Sequence, residues 1–248
     1  MDVVIEFFRW LANTHGINLS IIYDAYDRDR FIVGFGNTLK LAVFCVVLSV
    51  LIGLVGAWLL GSHSKIAKAF VRGYVAIFRN TPPLVQLYFF YFALGALLPK
   101  VADAHGAMVP PLSNTTWAIL SLSLFGAAFN IEIFRSGIEA VPSSTVEATE
   151  SLGYTRFQSY RFVVLPLALR ICLPAFNNNL VNLVKTTTLA YAIGVPELMY
   201  ASSQIWSETL NVRVMMNVLL LCYILLVAVL VWMMGRWERA MRIPGYTP

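Results

Sequence analysis

Five long apolar stretches limit the fold of this chain more than any other feature of its sequence. The clearest stretch covers residues 39–60 and has one charged residue, Lys40, at its edge. A helix of about 20 apolar residues crosses the hydrocarbon core of a bilayer. Backbone polar groups in lipid must pair within the chain, so such a stretch is expected to be helical. The sequence therefore predicts an all-α integral membrane protein.

The other apolar stretches predict four more transmembrane helices. They cover residues 84–98, 117–134, 162–184 and 214–234. The pair Pro82-Pro83 removes two backbone donors, so it should break a lead-in helix from the second span. The composition agrees, because 58% of the residues are hydrophobic and 12% are charged, whereas soluble domains have about 25% charged residues.

The first 33 residues have a different pattern. Their apolar stretches, 3–11 and 17–26, are too short to span a bilayer, and a mixed-charge cluster from Asp24 to Arg30 follows. We predict an interfacial or periplasmic segment that contacts membrane lipid, residues 1–33. A transmembrane domain, 34–240, and a cytoplasmic tail, 241–248, would follow.

Most basic residues of the predicted loops lie in one of two sets of loops, which would face the same side of the membrane. One set carries Lys65, Lys68, Arg72, Arg135, Arg156, Arg161, Arg236, Arg239 and Arg242. The positive-inside rule places this set in the cytoplasm, with the C-terminus, and places the N-terminus in the periplasm. Membrane orientation therefore explains the net charge of +5 better than nucleic-acid binding does.

The predicted cytoplasmic loop, residues 142–163, has the pattern of two short helices. Ser144 with Glu147, and Thr155 with Gln158, have the spacing of capping boxes. Gly153 suits the left-handed residue that closes a helix. Taken alone, this pattern also fits an ordinary amphipathic surface hairpin.

The exact residues of this loop resemble a known motif. Glu147-Ala148-Thr149, then Gly153, then Val163-Val164-Leu165-Pro166, is similar to the EAA loop of membrane subunits of ABC importers, with Thr149 in place of the usual alanine. The resemblance implies coupling helices that dock on a cytoplasmic ATPase. The residues that it assigns to this contact are Glu147, Ala148, Leu152, Gly153 and Phe157.

Three more segments resemble permeases for polar amino acids, in the same order along the chain. They are Phe78-Arg79-Asn80-Thr81-Pro82, the stretch from Glu132 to Pro142, and the stretch from Leu183 to Leu198. Thr186 stands where that family usually has aspartate after the lysine. The resemblance covers residues 34 to 240 and implies the type I ABC importer permease fold.

The resemblance also implies a function and a set of partners. The chain would be the permease subunit of an importer of a polar or charged amino acid in the bacterial inner membrane. Its partners would be an ATPase dimer, a second permease subunit (a copy or a paralogue) and a periplasmic solute-binding protein. No cofactor is expected on this chain, and ATP and magnesium would bind the ATPase. The sequence has no phosphate-binding loop and no HExxH or GxSxG motif, so no enzymatic site is predicted. A gradient-driven transporter or channel is the alternative.

Polar residues inside the predicted spans are candidates for a substrate pathway, because such groups usually face protein or water. The candidates are Arg79, Asn80, Thr81, Asn130, Glu132, Asn178, Asn182 and Lys185. Three alternatives remain at this point. The last three residues share a helix face and could bond between helices, Glu132 could pair with Arg135, and Arg79 could extend to lipid headgroups.

Overall fold

The computed structural model describes residues 2–102 and 105–241, and most of them are helical. The chain divides into two compact units. Unit 1 comprises residues up to 44, 87–121 and 184–228, and unit 2 comprises residues 45–86, 122–183 and 229 onward. Residues 242–248, which include Arg242 and most of the predicted tail, lie outside the described residues.

The helices follow one another with short connections. They are α1 (Asp2–His15), α2 (Ser20–Tyr23), α3 (Ala25–Gly61), α4 (Lys65–Asn80), α5 (Pro83–Tyr88), α6 (Gly95–Leu97), α7 (Asn114–Glu139), α8 (Ser143–Ser151), α9 (Arg156–Ser159), α10 (Leu165–Thr186), α11 (Leu198–Thr209) and α12 (Val212–Met241). A π-helical segment, Phe89–Leu94, joins α5 to α6, and another, Tyr160–Val164, joins α9 to α10. A 3₁₀ segment, Thr187–Ile193, extends α10. A short antiparallel pair, β1 (Val101–Ala102) and β2 (Met108–Val109), pairs Val101 with Val109.

Four helices in the described residues are long and apolar enough to cross a membrane, and they coincide with four of the five predicted spans. They are Ala25–Gly61, Asn114–Glu139, Arg156–Ile193 and Val212–Met241. The second predicted span is a shorter apolar helix, Pro83–Leu97. The prolines of the fourth span do not end it. Pro174 lies inside α10, and Pro166 is the second residue of α10, just after the π-helical segment.

The N-terminal residues are more helical than the sequence suggests. The mixed-charge cluster is mostly the first turn of α3, which begins at Ala25 and continues without a break into the first span. Residues 25–33 are therefore part of a spanning helix, so the predicted boundary between residues 33 and 34 falls within α3. Within the predicted N-terminal segment, α1 and α2 are separate helices that precede α3.

The core of unit 1 contains a buried carboxylate. Glu197 caps the N-terminus of α11 by accepting hydrogen bonds from the amides of Met199 and Tyr200, at 2.9 and 2.8 Å. The hydroxyl of Tyr223 donates to the same carboxylate at 3.1 Å. Burial raises the pKa of Glu197, and these hydrogen bonds oppose that rise. This side-chain cap helps to start the 12-residue helix α11.

In unit 2, α3 packs closely on α7 at two glycines, as their small size suggests. A Cβ atom at Gly53 would lie 2.6 Å from the Cβ of Asn130, and one at Gly56 would overlap the side chain of Ile131. Phe134 and Phe176 pack nearby, with ring centroids 5.4 Å apart. These contacts hold the inner surface of α7 against its neighbours and position the polar residues described below.

Candidate functional site

The first candidate site is the hairpin formed by residues 142–159, called here the coupling hairpin. Its first helix, α8, ends in a Schellman motif: the amide of Tyr154 donates to the carbonyl of Thr149 at 3.1 Å, and that of Gly153 donates to Glu150 at 2.9 Å. Gly153 has a φ of +86°, which favours glycine. This confirms the predicted helix end.

The second helix, α9, begins with the predicted capping box. The side chain of Thr155 accepts from the amide of Gln158 at 3.3 Å, and the side chain of Gln158 accepts from the amide of Thr155 at 2.8 Å. The tight turn at residues 152–155 is therefore fixed from both sides. It connects the two short helices.

The other predicted capping box is wrong. Pro142 is the N-cap residue of α8, and Ser144 lies inside the helix. The extended backbone of Pro142 starts the helix two residues earlier than the pattern suggests. Because the serine lies inside the first turn, the four-residue pattern that begins at Ser144 does not mark the helix start.

The departure from the usual motif at position 149 has a structural explanation. Thr149 and Ser159 are both buried, and the hydroxyl of Thr149 donates to Ser159 Oγ at 2.6 Å. This bond joins α8 to α9. An alanine at position 149 would leave Ser159 without that partner.

We expect Thr149→Val and Ser159→Ala to show an interaction energy. Each single substitution removes the shared hydrogen bond, so the double variant should lose about 1 kcal/mol less than the sum of the two single losses. Thermal unfolding of the purified chain in nanodiscs measures these losses. A matched cycle with Thr155→Val in place of Thr149→Val should be additive with Ser159→Ala, and additivity in the first cycle would contradict the proposed bond.

The outer surface of the coupling hairpin is exposed and partly apolar. Leu152 is 78% exposed and Phe157 is 70% exposed. Glu147, Ala148 and Gly153 are exposed as well. The five residues assigned to ATPase contact by resemblance thus all lie on the accessible surface of the hairpin. The inner side packs through Val146 on a buried cluster that includes Val141 and Val164.

The proline break between α4 and α5 is closed by Gln86, a residue to which the sequence analysis assigned no role. The side-chain nitrogen of the buried Gln86 lies 2.9 Å from the carbonyl oxygen of Phe78, 3.0 Å from that of Thr81 and 2.6 Å from the hydroxyl of Thr81. Prolines 82 and 83 cannot donate to these carbonyls. Only the position of Gln86 shortly after the prolines could have indicated its role.

We expect Gln86→Glu to destabilise the protein by about 1–3 kcal/mol, because a carboxylate has the same shape but cannot donate to the freed carbonyls. The melting temperature in nanodiscs measures the loss. Gln204→Glu, in the middle of α11, is the matched control and should have a smaller effect. Equal effects would contradict the assigned role of Gln86.

The two predicted pathway residues at the break serve the helix end. The side chain of Asn80 donates to the carbonyl of Ala76 at 2.7 Å, and that of Thr81 donates to Ile77 at 2.8 Å. Both residues keep partly accessible surfaces. Their hydrogen bonds hold the last turn of α4 and thereby the side chain of Arg79.

A charge cluster connects α4 with α7. Glu132 accepts from Arg135 at 2.8 Å and lies 4.0 Å from the guanidinium of Arg79. Arg135 also pairs with Glu139. The guanidinium of Arg79 lies over the ring of Phe129, 5.2 Å from its centroid. Arg79 is therefore directed towards α7, and Glu132 is paired locally, as one of the sequence alternatives proposed.

The same cluster forms part of the wall of a cleft of about 920 Å³ in unit 2. The cleft is lined by Arg72, Glu132, Arg135 and Glu139, together with the apolar and aromatic side chains of Trp58 and Tyr160. It thus presents charges of both signs beside apolar surface.

Asn130 is fully buried in unit 2. Its side-chain oxygen accepts from Asn179 at 2.8 Å, and its nitrogen donates to Ser49 at 3.3 Å. Asn179 also donates to the carbonyl of Gly126 at 3.2 Å. These bonds connect α3, α7 and α10, which favours a packing role for Asn130 over a pathway role in this conformation.

The other predicted pathway residues lie on α10. Asn178, Asn182 and Lys185 are all exposed, whereas their neighbours Asn177, Asn179, Leu183 and Val184 are buried. The spacing of the three residues places them along one side of the helix. A polar surface at this depth needs protein or water against it.

A comparison with known protein families identifies residues 33–243 as a binding-protein-dependent transport system inner membrane component. The chain belongs to this family. The match includes the coupling hairpin and every predicted pathway residue. It does not include α1 or α2.

Individual relatives agree with this assignment. The chain is 34% identical over 217 residues to the probable amino-acid permease protein YxeN of Bacillus subtilis, which covers 85% of this chain and 90% of YxeN. It is 33% identical over 214 residues to the histidine/lysine/arginine/ornithine transport system permease protein HisM of Salmonella typhimurium, with 86% and 90% covered.

Solved structures show the same fold. A chain in the crystal structure of an amino acid ABC transporter with histidines matches with a TM-score of 0.75 and 29% identity, over 86% of this chain and 94% of that one. A chain of the MetNI methionine ABC transporter in an inward-facing conformation matches with a TM-score of 0.66, 24% identity and coverage of 86% and 96%. The family member described here is therefore an all-α, multi-pass inner membrane permease subunit with the type I ABC importer fold. Family membership also favours the ABC permease over the gradient-driven alternative.

Proposed function

We propose that this permease carries a polar or charged amino acid into the cell and that an ATPase drives it through the coupling hairpin. The relatives named above are permeases for amino acids, which supports this substrate class. ATP and magnesium bind the ATPase in this proposal, and this chain binds no cofactor of its own.

The observation that carries the proposal is the exposed apolar surface of the coupling hairpin. Leu152 and Phe157 precede the predicted fourth span, 162–184, and expose most of their side chains. A groove of about 480 Å³ lies beside them, lined by Gly153, Tyr154 and Phe162 among others. Apolar and aromatic anchors on a rigid support are typical of a protein–protein contact. Two capped helix ends supply that rigidity here.

We place the coupling hairpin and the C-terminus in the cytoplasm and the N-terminus in the periplasm. The positive-inside rule supports this orientation. The proposed partners are an ATPase dimer on the cytoplasmic side, a second permease subunit, and a periplasmic solute-binding protein that delivers the substrate. In this scheme, closure of the ATPase dimer moves the hairpins together and opens the pathway outward.

A photo-crosslinking amino acid at position 152 or 157 tests the contact. In membranes that contain the whole transporter, irradiation should join this chain to its ATPase, and mass spectrometry identifies the product. The same amino acid at Tyr26, exposed at the start of α3, is the control and should not crosslink to the ATPase. Absence of an ATPase adduct at both hairpin positions would contradict the proposal.

We propose that the exposed side of α10 and the Arg79–Glu132 pair face the substrate pathway. The carboxylate and ammonium groups of an amino acid need charged or amide partners, and the paired side chains supply both signs. Glu132 is the acid of the charged pair, and its carboxylate lies 4.0 Å from the guanidinium of Arg79.

We expect Arg79→Ala and Asn178→Ala each to reduce ATP-driven uptake several-fold at unchanged protein levels. Transport of radiolabelled amino acids into vesicles measures this. Asn13→Ala, which alters an exposed asparagine outside the family match, is the control and should leave uptake unchanged. If both pathway variants transported at the normal rate, the pathway assignment would be wrong.

A further inference from the structure

Helix α1 has an exposed apolar side that the import function does not explain. Phe7 and Trp10 are each 52% exposed, and Val3 is even more exposed. Residues 3, 7 and 10 recur at helical spacing and share one side of the helix. The rings of Phe7 and Trp10 lie next to each other, with centroids 6.2 Å apart. Together these three residues form what we call the α1 apolar stripe.

The polar residues of α1 lie on another side. Glu6, Arg9 and Asn13 are all exposed and recur at the same helical spacing. The third side, which includes Phe8, Leu11 and Ala12, is half-buried. A helix of 14 residues is about 21 Å long, which is too short to cross the hydrocarbon core.

The end of α1 is attached to the point where other helices begin. The side chain of Asn211, immediately before α12, donates to the carbonyl of Asn18 at 2.7 Å. The hydroxyl of Tyr23 donates to the side chain of Asn18. The guanidinium of Arg9 lies 5.8 Å from the centroid of the Tyr23 ring. These contacts hold α1 at the level where α12 starts.

Charged and apolar side chains occur together near that level, a pattern typical of a membrane surface. Arg30, in the first turns of α3, pairs with Glu208 at 2.9 Å, while Ile32 and Val33 shortly after it are exposed and apolar. Leu210, next to Asn211, is 88% exposed and has a left-handed backbone with a φ of 54°. An apolar side chain held outward in this conformation has a cost that a lipid contact would offset.

We propose that α1 lies flat in the interfacial region of the bilayer, on the side where α3 and α12 begin, with the α1 apolar stripe in lipid. Tryptophan and phenylalanine favour this region, and amphipathic helices typically insert their apolar side about 5–10 Å into it. Glu6, Arg9 and Asn13 then face headgroups and water. The role is that of an anchor and does not depend on the transported substrate.

Lipid fits the α1 apolar stripe better than a partner protein does. YxeN and HisM each match this chain over 90% of their own length, and the family match begins only at residue 33. Helix α1 therefore lies outside the part of the chain that the family model matches. Exposed apolar side chains also occur in the first turns of α3, at Ile32 and Val33.

Spin labelling of the whole transporter in nanodiscs tests this placement. Nitroxides are attached to cysteines at positions 7 and 10, with positions 6 and 13 as matched controls on the polar side. Cys45 and Cys172 are buried and can stay, and Cys222 is replaced by alanine. Labels at 7 and 10 should collide several-fold more with oxygen, which dissolves in lipid, than with a water-soluble nickel chelate. Labels at 6 and 13 should show the reverse.

Two outcomes would overturn the proposal. Free access of nickel to positions 7 and 10 would show a solvated helix, and exclusion of both reagents would show a contact with protein. A measurement without cysteines completes the test. Brominated lipids should quench a larger fraction of tryptophan fluorescence in the natural chain than in Trp10→Phe, and equal quenching would contradict insertion.

Discussion

Replacement of Phe157 by glutamate should reduce ATP-driven uptake by about thirtyfold or more. The phenylalanine is mostly exposed on α9, so the substitution does not disturb the core. Loss of a central apolar anchor costs a protein interface about 2 kcal/mol or more, which corresponds to this factor. Uptake and ATP hydrolysis by the reconstituted transporter measure the effect, and hydrolysis should no longer respond to substrate.

The matched control is Phe157→Leu, which keeps an apolar side chain at the same position and should retain most of the uptake. The capping box of Thr155 and Gln158 remains intact in both variants. Equal uptake by the glutamate variant and the natural chain, at equal amounts in the membrane, would show that α9 does not contact the ATPase.

Gly53→Ala should reduce the stability of the protein by about 1–3 kcal/mol. The new Cβ atom would lie 2.6 Å from the Cβ of Asn130. Asn130 cannot move aside without losing its hydrogen bonds to Asn179 and Ser49, which are buried away from water. The melting temperature in nanodiscs should fall accordingly.

Gly73→Ala is the control for this substitution, because a Cβ atom at Gly73 meets nothing within 4 Å. Removing a mid-helix glycine in open space should be neutral or stabilising by up to about 1 kcal/mol. If both glycine variants melted at the same temperature, the close contact of α3 with α7 would not contribute to stability.

The spans and the turn of the coupling hairpin could be predicted because their signals are local. A long apolar run defines a membrane helix by itself, and Gly153 and the pair Thr155 and Gln158 act within one turn of the chain. The capping-box pattern at Ser144 gave a wrong helix start because another local signal precedes it. A neighbouring residue, Pro142, starts the helix first.

The remaining features depend on contacts between residues distant in sequence. Glu197 caps α11 with help from Tyr223, and Asn130 bonds to Asn179 on another helix. Polarity within an apolar run marks such residues as unusual, but it does not distinguish a buried network from a substrate pathway. Asn178 and Asn179 are adjacent, and only the fold shows that one is exposed and the other buried.

Reconstitution into proteoliposomes tests the central claim most directly. This chain, its second permease subunit, the ATPase and the solute-binding protein are assembled, and uptake of polar and charged amino acids is measured with and without ATP. We expect uptake that requires ATP and the ATPase together and that is lost in Phe157→Glu. Flux of the same amino acids through this chain alone, driven by an ion gradient without the ATPase, would contradict the account.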